Sequence, residues 1–409
     1  MLVYSHGLVF PGDPNPPAIA PDATTGQALL TRGYALAGSA FGTGYAVEQA
    51  LRDQVELLDV YADLAGKPRR TLAWGTSMGG LITGELVEKH PKRFQAGLAT
   101  CGLMGGTVGL WNTYLDTMFV IKTLLAPSIL LTGDPEPFDT VGTVFSALEA
   151  AEKSPGGRAR IALAVAMMDM PGWFGAGSPR PPAGDFAAQQ EAQVTHLREL
   201  VVFLMVAARA EMEQHAGGNP STNVGVDYAR QLRRSTDRAE VKGLYAAAGV
   251  SLKADLHRLA VAPRIKASKP AVAYARKFAT FSGELHGRPM VTLHTTGDGA
   301  VAPEHEQAYA KQVSRSGDRR LLRTLFIERA GHCTFTPAEL VASVQLIDQR
   351  ARSGYFPATS PASMKSRAVA LGPELNGVTD DDSGQFIPVA PEFTQYHTGR
   401  FLRPAAGRS

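Results

Sequence analysis

The chain has 409 residues, 44% hydrophobic and 19% charged, a soluble globular balance long enough for one large domain or for a core carrying a substantial insertion. Its net charge of +3 is spread without long like-charge runs, which argues against the clustered basic face of a nucleic-acid-binding protein. Two cysteines are too few for a disulfide framework or a zinc knuckle, and no uninterrupted apolar stretch reaches membrane-spanning length.

In chain order, Leu2 to Ser5 reads as a short strand ending at His6-Gly7. A Pro-rich loop (11–21), a short helix from Thr24 to Arg32 and a second apolar run from Tyr34 to Ser39 follow. The Gly-rich loop at 38–44 lacks both the Lys-Ser/Thr of a P-loop and the spacing of a dinucleotide fingerprint, so it reads as a strand–helix turn. From Val47 to Ala65, Leu51, Val55, Leu58 and Ala62 share one helical face. Thr71 to Trp74 is a strand, Met78 to Glu88 a helix ending near His90-Pro91, and Gln95 to Thr100 another strand. Strands alternating with helices imply a parallel sheet covered on both faces.

From about residue 105 to 282 the pattern changes to Ala-rich helical stretches, with a strong helix over Leu200 to Glu213 and one strand candidate at Ser128 to Thr132. Alternation then resumes with strands at Met290 to Thr295 and Leu321 to Ile327, and helices at Glu304 to Val313 and Pro337 to Arg350. The tail from Tyr355 is irregular and carries the acidic patch Asp380-Asp381-Asp382. The expected organisation is a core in two parts, 1–104 and 283–354, a helical cap or lid at 105–282, and a C-terminal extension at 355–409.

Chemistry concentrates at the ends of three strands. Gly75-Thr76-Ser77-Met78-Gly79 fits G-x-S-x-G between a strand and a helix, the pattern of a nucleophile elbow. Ser77 then stands at a helix N-terminus, where free N–H groups favour developing negative charge. The backbone N–H groups of Met78 and of Leu8, after His6-Gly7, are the candidate oxyanion-hole donors. Asp298 is delivered by the apolar strand from Val291 onto a Gly-rich turn, where an acid can orient a histidine. Asp134, after Leu130-Leu131-Thr132-Gly133, resembles it but lacks a suitable following helix. His332, in Ala330-Gly331-His332-Cys333, is the candidate base. The order Ser77, Asp298, His332 along the chain is the order found in α/β-hydrolases.

On these residues the chain resembles the α/β-hydrolase superfamily of serine esterases and lipases, over His6 to about Cys101 and Met290 to about Arg350. The resemblance implies an α/β-hydrolase fold: a mostly parallel sheet flanked by helices, with a large, mostly helical cap inserted. It implies a Ser-His-Asp mechanism through an acyl-enzyme, with no metal and no organic cofactor. The expected partner is a small-molecule ester, with no nucleic acid and no membrane span; oligomeric state stays open. An acyltransferase or peptidase using the same three residues is the alternative, and an inactive hydrolase fold used for binding is a second. Met167, Met168, Met170, Trp173 and Phe174 read equally as an acyl or aromatic pocket or as core, with Trp173 and Phe174 as candidate substrate contacts.

Such folds place strands before the His-Gly strand, whereas here that strand starts at Met1. The expectation is a soluble protein, secreted if an N-terminal signal has been lost and cytoplasmic otherwise. Cys101 and Cys333 should lie at one edge of the sheet, either bridged or as two small buried residues. Feruloyl esterases and tannases are similar in placing a cysteine after the catalytic histidine, but pair it with a cysteine just before the serine. That position is Thr76 here.

Overall fold

Short strands of three to nine residues, most of them largely apolar and buried, build the parallel part of the sheet. In the computed structural model, which describes residues 1–379 and 386–404, β1 (Leu2–Ser5), β2 (Leu36–Gly38), β3 (Leu72–Thr76), β4 (Ala96–Thr100), β5 (Met290–Gly297) and β6 (Leu322–Ala330) are parallel. Every residue of β1, β3, β4 and β5 is buried, so these strands show no apolar–polar alternation, as expected where helices cover both faces. In the tail, β7 (Val378–Thr379) pairs with β8 (Phe386–Ile387), while β9 (Phe393–Thr394) adds to β6 as an antiparallel edge. The large sheet runs β2-β1-β3-β4-β5-β6-β9.

Register follows the apolar positions: Leu2 faces Leu36 on one side and Leu72 on the other, Gly97 faces Met290, and Met290 faces Leu322. One core joins Leu2, Tyr4, Trp74, Leu98, Leu293 and Ile327 to the helix Pro337–Ser353 through Leu340, Val344 and Ile347. Each such side chain contributes about 1.5–3 kcal/mol by leaving water. That helix starts on a full capping box, with Thr336 and Glu339 each accepting from the other's backbone N–H and Pro337 in the first turn.

The tail is more regular than its composition suggests. A helix at Pro361–Val369 begins on Ser360, whose hydroxyl accepts from Ser363 N–H, and buries Met364 and Ala368. The Ser-Pro start was a legible N-terminal signal. The acidic patch 380–382 lies outside the described residues.

The chain divides into two compact units, 1–106 with 278–398, and 107–277 with the residues from 399 on. The second unit is helical. Its longest run joins Phe186–His196, wide π turns at Leu197–Val201 and Leu204–Ala208, and Arg209–Ala216, longer than the helix expected at 200–213. Ser128 to Thr132 is not a strand: the Lys122 ammonium caps the carbonyls of Pro127 and Ile129, leaving a turn. Asp134 is accordingly a turn residue, accepting from Glu136 N–H, while Gly133 N–H goes to Glu213.

Candidate active site

The loop after β3 is shaped by contact. Ser77 sits at φ 56°, ψ −120°, left-handed backbone that a non-glycine residue occupies only when its surroundings hold it there. A Cβ on Gly75 would come within 2.6 Å of Ser5 O, and one on Gly79 would overlap the same oxygen. Both glycines of the motif are thus required by the neighbouring strand. Ser77 N–H donates to Thr100 O at 2.9 Å, tying the turn to the end of β4. Met78 is the first residue of the helix Met78–Lys89, so its N–H has no intrahelical acceptor.

The end of β1 lies alongside. A Cβ on Gly7 would sit 3.4 Å from Ser77 Cβ, which brings the Gly7-Leu8 backbone next to the hydroxyl. His6 is turned away from chemistry: it is buried, its Nδ1 lies 2.7 Å from Gly7 O, and its ring stacks on Phe41 with centroids 3.8 Å apart.

Ser77, Asp298 and His332 converge at the C-terminal ends of β3, β5 and β6. His332 Nδ1 is 2.8 Å from Asp298 Oδ2, and His332 Nε2 is 2.8 Å from Ser77 Oγ. A carboxylate only accepts, so Nδ1–H donates to Asp298 and Nε2 is left to accept the serine proton. Asp298 is fully buried, and its Oδ1 accepts from the N–H groups of Ala300 and Val301, both at 2.9 Å. Burial opposes its ionisation, but His332 and His294 outweigh that and hold the carboxyl well below the usual range.

The histidine loop is stitched on all sides. Gly331 N–H donates to Gly297 O, and Thr295 Oγ1 donates to Gly331 O. The buried Arg329 guanidinium forks onto Glu339 at 2.7 and 3.0 Å and donates to Thr334 O and Ala390 O. A Cys101–Cys333 disulfide, Cα atoms 5.3 Å apart, links the residue after β4 to the residue after His332. Both cysteines have positive φ, 45° and 60°. Among the described residues, Cys101, His332 and Cys333 cluster closely enough to suggest a metal site, but the two sulfurs are bonded to each other and offer no thiolate.

The candidate substrate contacts lie in the helical unit. Trp173 is buried, as are Met167, Met168 and Met170, and its indole N–H donates to Ser178 O at 2.9 Å. Phe174 is 36% exposed and meets His196 edge-on.

Sequence reasoning overlooked His294 and Glu306. His294 Nδ1 lies 3.0 Å from Glu306 Oε1, and Nε2 lies 2.8 Å from Val301 O and 3.2 Å from Asp298 Oδ2. A signal existed. A histidine inside a strand buried on both faces must find partners, and residues two and four apart on a strand share a face.

The sheet order, with serine, acid and histidine in that order at the ends of its strands, defines a serine hydrolase of the α/β-hydrolase type. A model described as the prolyl oligopeptidase family matches residues 32–118, the stretch containing the serine turn. An o-phthalyl amidase from Xanthobacter agilis is 27% identical over 376 residues, covering 84% of this chain and 82% of that protein. Among solved structures, feruloyl esterase B from Aspergillus oryzae is similar at 14% identity and a TM-score of 0.37, covering 87% of this chain and 75% of its own. Another esterase from Aspergillus oryzae is similar at 14% identity and a TM-score of 0.41, with the same coverage. Among the described residues, no helix is long and apolar enough to cross a membrane.

Proposed function

We propose that this chain cleaves small carboxylic esters by acyl transfer to Ser77, with His332 as general base and acid and Asp298 as its orienting carboxylate. The observation that carries the reading is the unbroken hydrogen-bond relay from Asp298 through His332 to Ser77, each step 2.8 Å. Ser77 Oγ attacks the carbonyl carbon as its proton passes to His332 Nε2. The oxyanion is received by Leu8 N–H and Met78 N–H. The tetrahedral intermediate collapses, His332 returns the proton to the departing alkoxide, and an acyl-Ser77 remains. Water then attacks in the same way and releases the acid.

A second reading, amide hydrolysis, is favoured by the similarity to the o-phthalyl amidase. The same residues serve, with His332 protonating a departing amine. An inactive binding role has the assembled relay against it.

Intact-mass analysis after fluorophosphonate treatment tests the common core. The expected result is one adduct on the wild type and none on Ser77→Ala; a folded wild type without an adduct overturns the reading. Hydrolysis of matched aryl esters and anilides, with an o-phthalyl amide among them, then separates the two substrate classes. Turnover of the esters alone supports the first reading, and preferential turnover of the amide supports the second.

A further inference from the structure

The relay does not stop at Asp298. Behind it, His294 lies between two carboxylates, giving a line of five side chains: Glu306, His294, Asp298, His332, Ser77. We infer that His294 is a positioning residue that stands as an imidazolium behind Asp298 and sets the pH range over which His332 acts as base. The inference rests on the assignment of Ser77 and His332 above.

The geometry assigns the charge. Around His294, Glu306 Oε1 faces Nδ1, and Val301 O and Asp298 Oδ2 face Nε2. A carbonyl and ionised carboxylates can only accept, so both ring nitrogens must donate, and an imidazole donating from both is cationic. Glu306 Oε1 takes the contact with His294, and Glu306 Oε2 is buried with no hydrogen-bond partner among the described residues. The titration of the group agrees. Burial works against the charged ring, but Asp298 and Glu306 outweigh it and push His294 up to about 10.

The other titratable neighbours fit the same charge pattern. Glu304 and His305 belong to the helix Glu304–Arg315 that carries Glu306. His305 Nδ1 accepts from Gly105 N–H at 2.9 Å, and burial followed by the charge on His294 pushes its titration down to about 3, so it stays neutral. Just after β4 the neighbouring group is Cys101, which is in the disulfide and does not titrate. His332 Nδ1 and His294 Nε2 share one oxygen, Asp298 Oδ2, at 2.8 and 3.2 Å.

The consequence for the base follows from distance. The cation at His294 touches Asp298, whereas the anion at Glu306 lies one residue further back. Seen from His332, the pair therefore presents its positive end, so removing the cation and removing the anion change the field at the base in opposite directions.

The test is the pH dependence of Ser77 phosphonylation by a fluorophosphonate, followed by intact mass on the full chain. Removing the cation with His294→Gln should move the acid limb to higher pH by about one unit, an ~10-fold slower reaction at a fixed pH on that limb. Removing the anion with Glu306→Gln should move the limb to lower pH, by roughly half a unit. The two shifts have opposite signs, and Glu306→Gln is nearly isosteric, so it reads the effect even if His294→Gln does not fold. A wild type whose Ser77 takes no adduct overturns both this inference and the catalytic assignment. A labelled wild type with folded variants that react more slowly but with unmoved limbs, or with limbs moved in the same direction, overturns this inference alone.

Discussion

Two clusters in this protein bury charge completely and put it to opposite uses. In the sheet unit, Asp298 accepts from two backbone N–H groups and from two histidines, and the line of bonds ends on a hydroxyl whose proton can move. In the helical unit, Asp116 accepts from Tyr228 OH and Gln231 Nε2, each at 3.0 Å, and from Arg403, which also donates to Thr222 O. There every path ends on a fixed amide or carbonyl. Burial raises the titration of Asp116 despite its donors, while the two histidines win at Asp298 and lower it. A buried carboxylate alone therefore does not mark chemistry; what lies at the end of its hydrogen bonds does.

The contrast breaks most visibly at Asp298. Asp298→Asn keeps the shape but gives Nδ1 a neutral partner that also donates, so His332 loses the tautomer that accepts from Ser77. Phosphonylation of Ser77 should slow about 10³–10⁴-fold with the fold retained, as measured by labelling rate beside a circular-dichroism melt. A loss of less than tenfold would remove Asp298 from the relay.

At Asp116 the effect should fall on stability instead. Asp116→Ala leaves Arg403 uncompensated and should cost about 3 kcal/mol in urea unfolding, while the acid limb of Ser77 labelling stays where it is. An unchanged unfolding midpoint, or a moved acid limb, would erase the distinction between the clusters.

The last test reads the pH dependence of stability itself. His294 titrates near 10 when folded against about 6.5 when unfolded, so its contribution is complete below about pH 6.5 and is lost as pH rises towards 10. Urea midpoints measured across that window should decline in the wild type and flatten in His294→Gln. Equal slopes in the two proteins would mean that His294 is not charged in the folded state.

The sequence by itself determined the fold class and the three candidate side chains of the relay, because each is announced by short-range constraints. Gly75 and Gly79 are demanded by the closeness of Ser5 O, the strand before Asp298 is buried along its whole length, and the strand before His332 carries the apolar run Leu325-Phe326-Ile327. What escaped it depends on residues distant in the chain that meet only in three dimensions. Ser128 to Thr132 has the composition of a strand, but Lys122 takes the carbonyls of Pro127 and Ile129, and the segment is a turn. The tail ending in β9 read as irregular because two residues gain a strand's hydrogen bonds only when β6 offers its edge. Whether Cys101 and Cys333 were bridged or merely buried was decided by two loops 232 residues apart arriving at one corner of the sheet. Glu306 looked like any acid in the first turn of a helix until the fold set it against His294. Local geometry is written in neighbouring residues; the charge on a buried group is decided by whichever partners the tertiary structure brings to it.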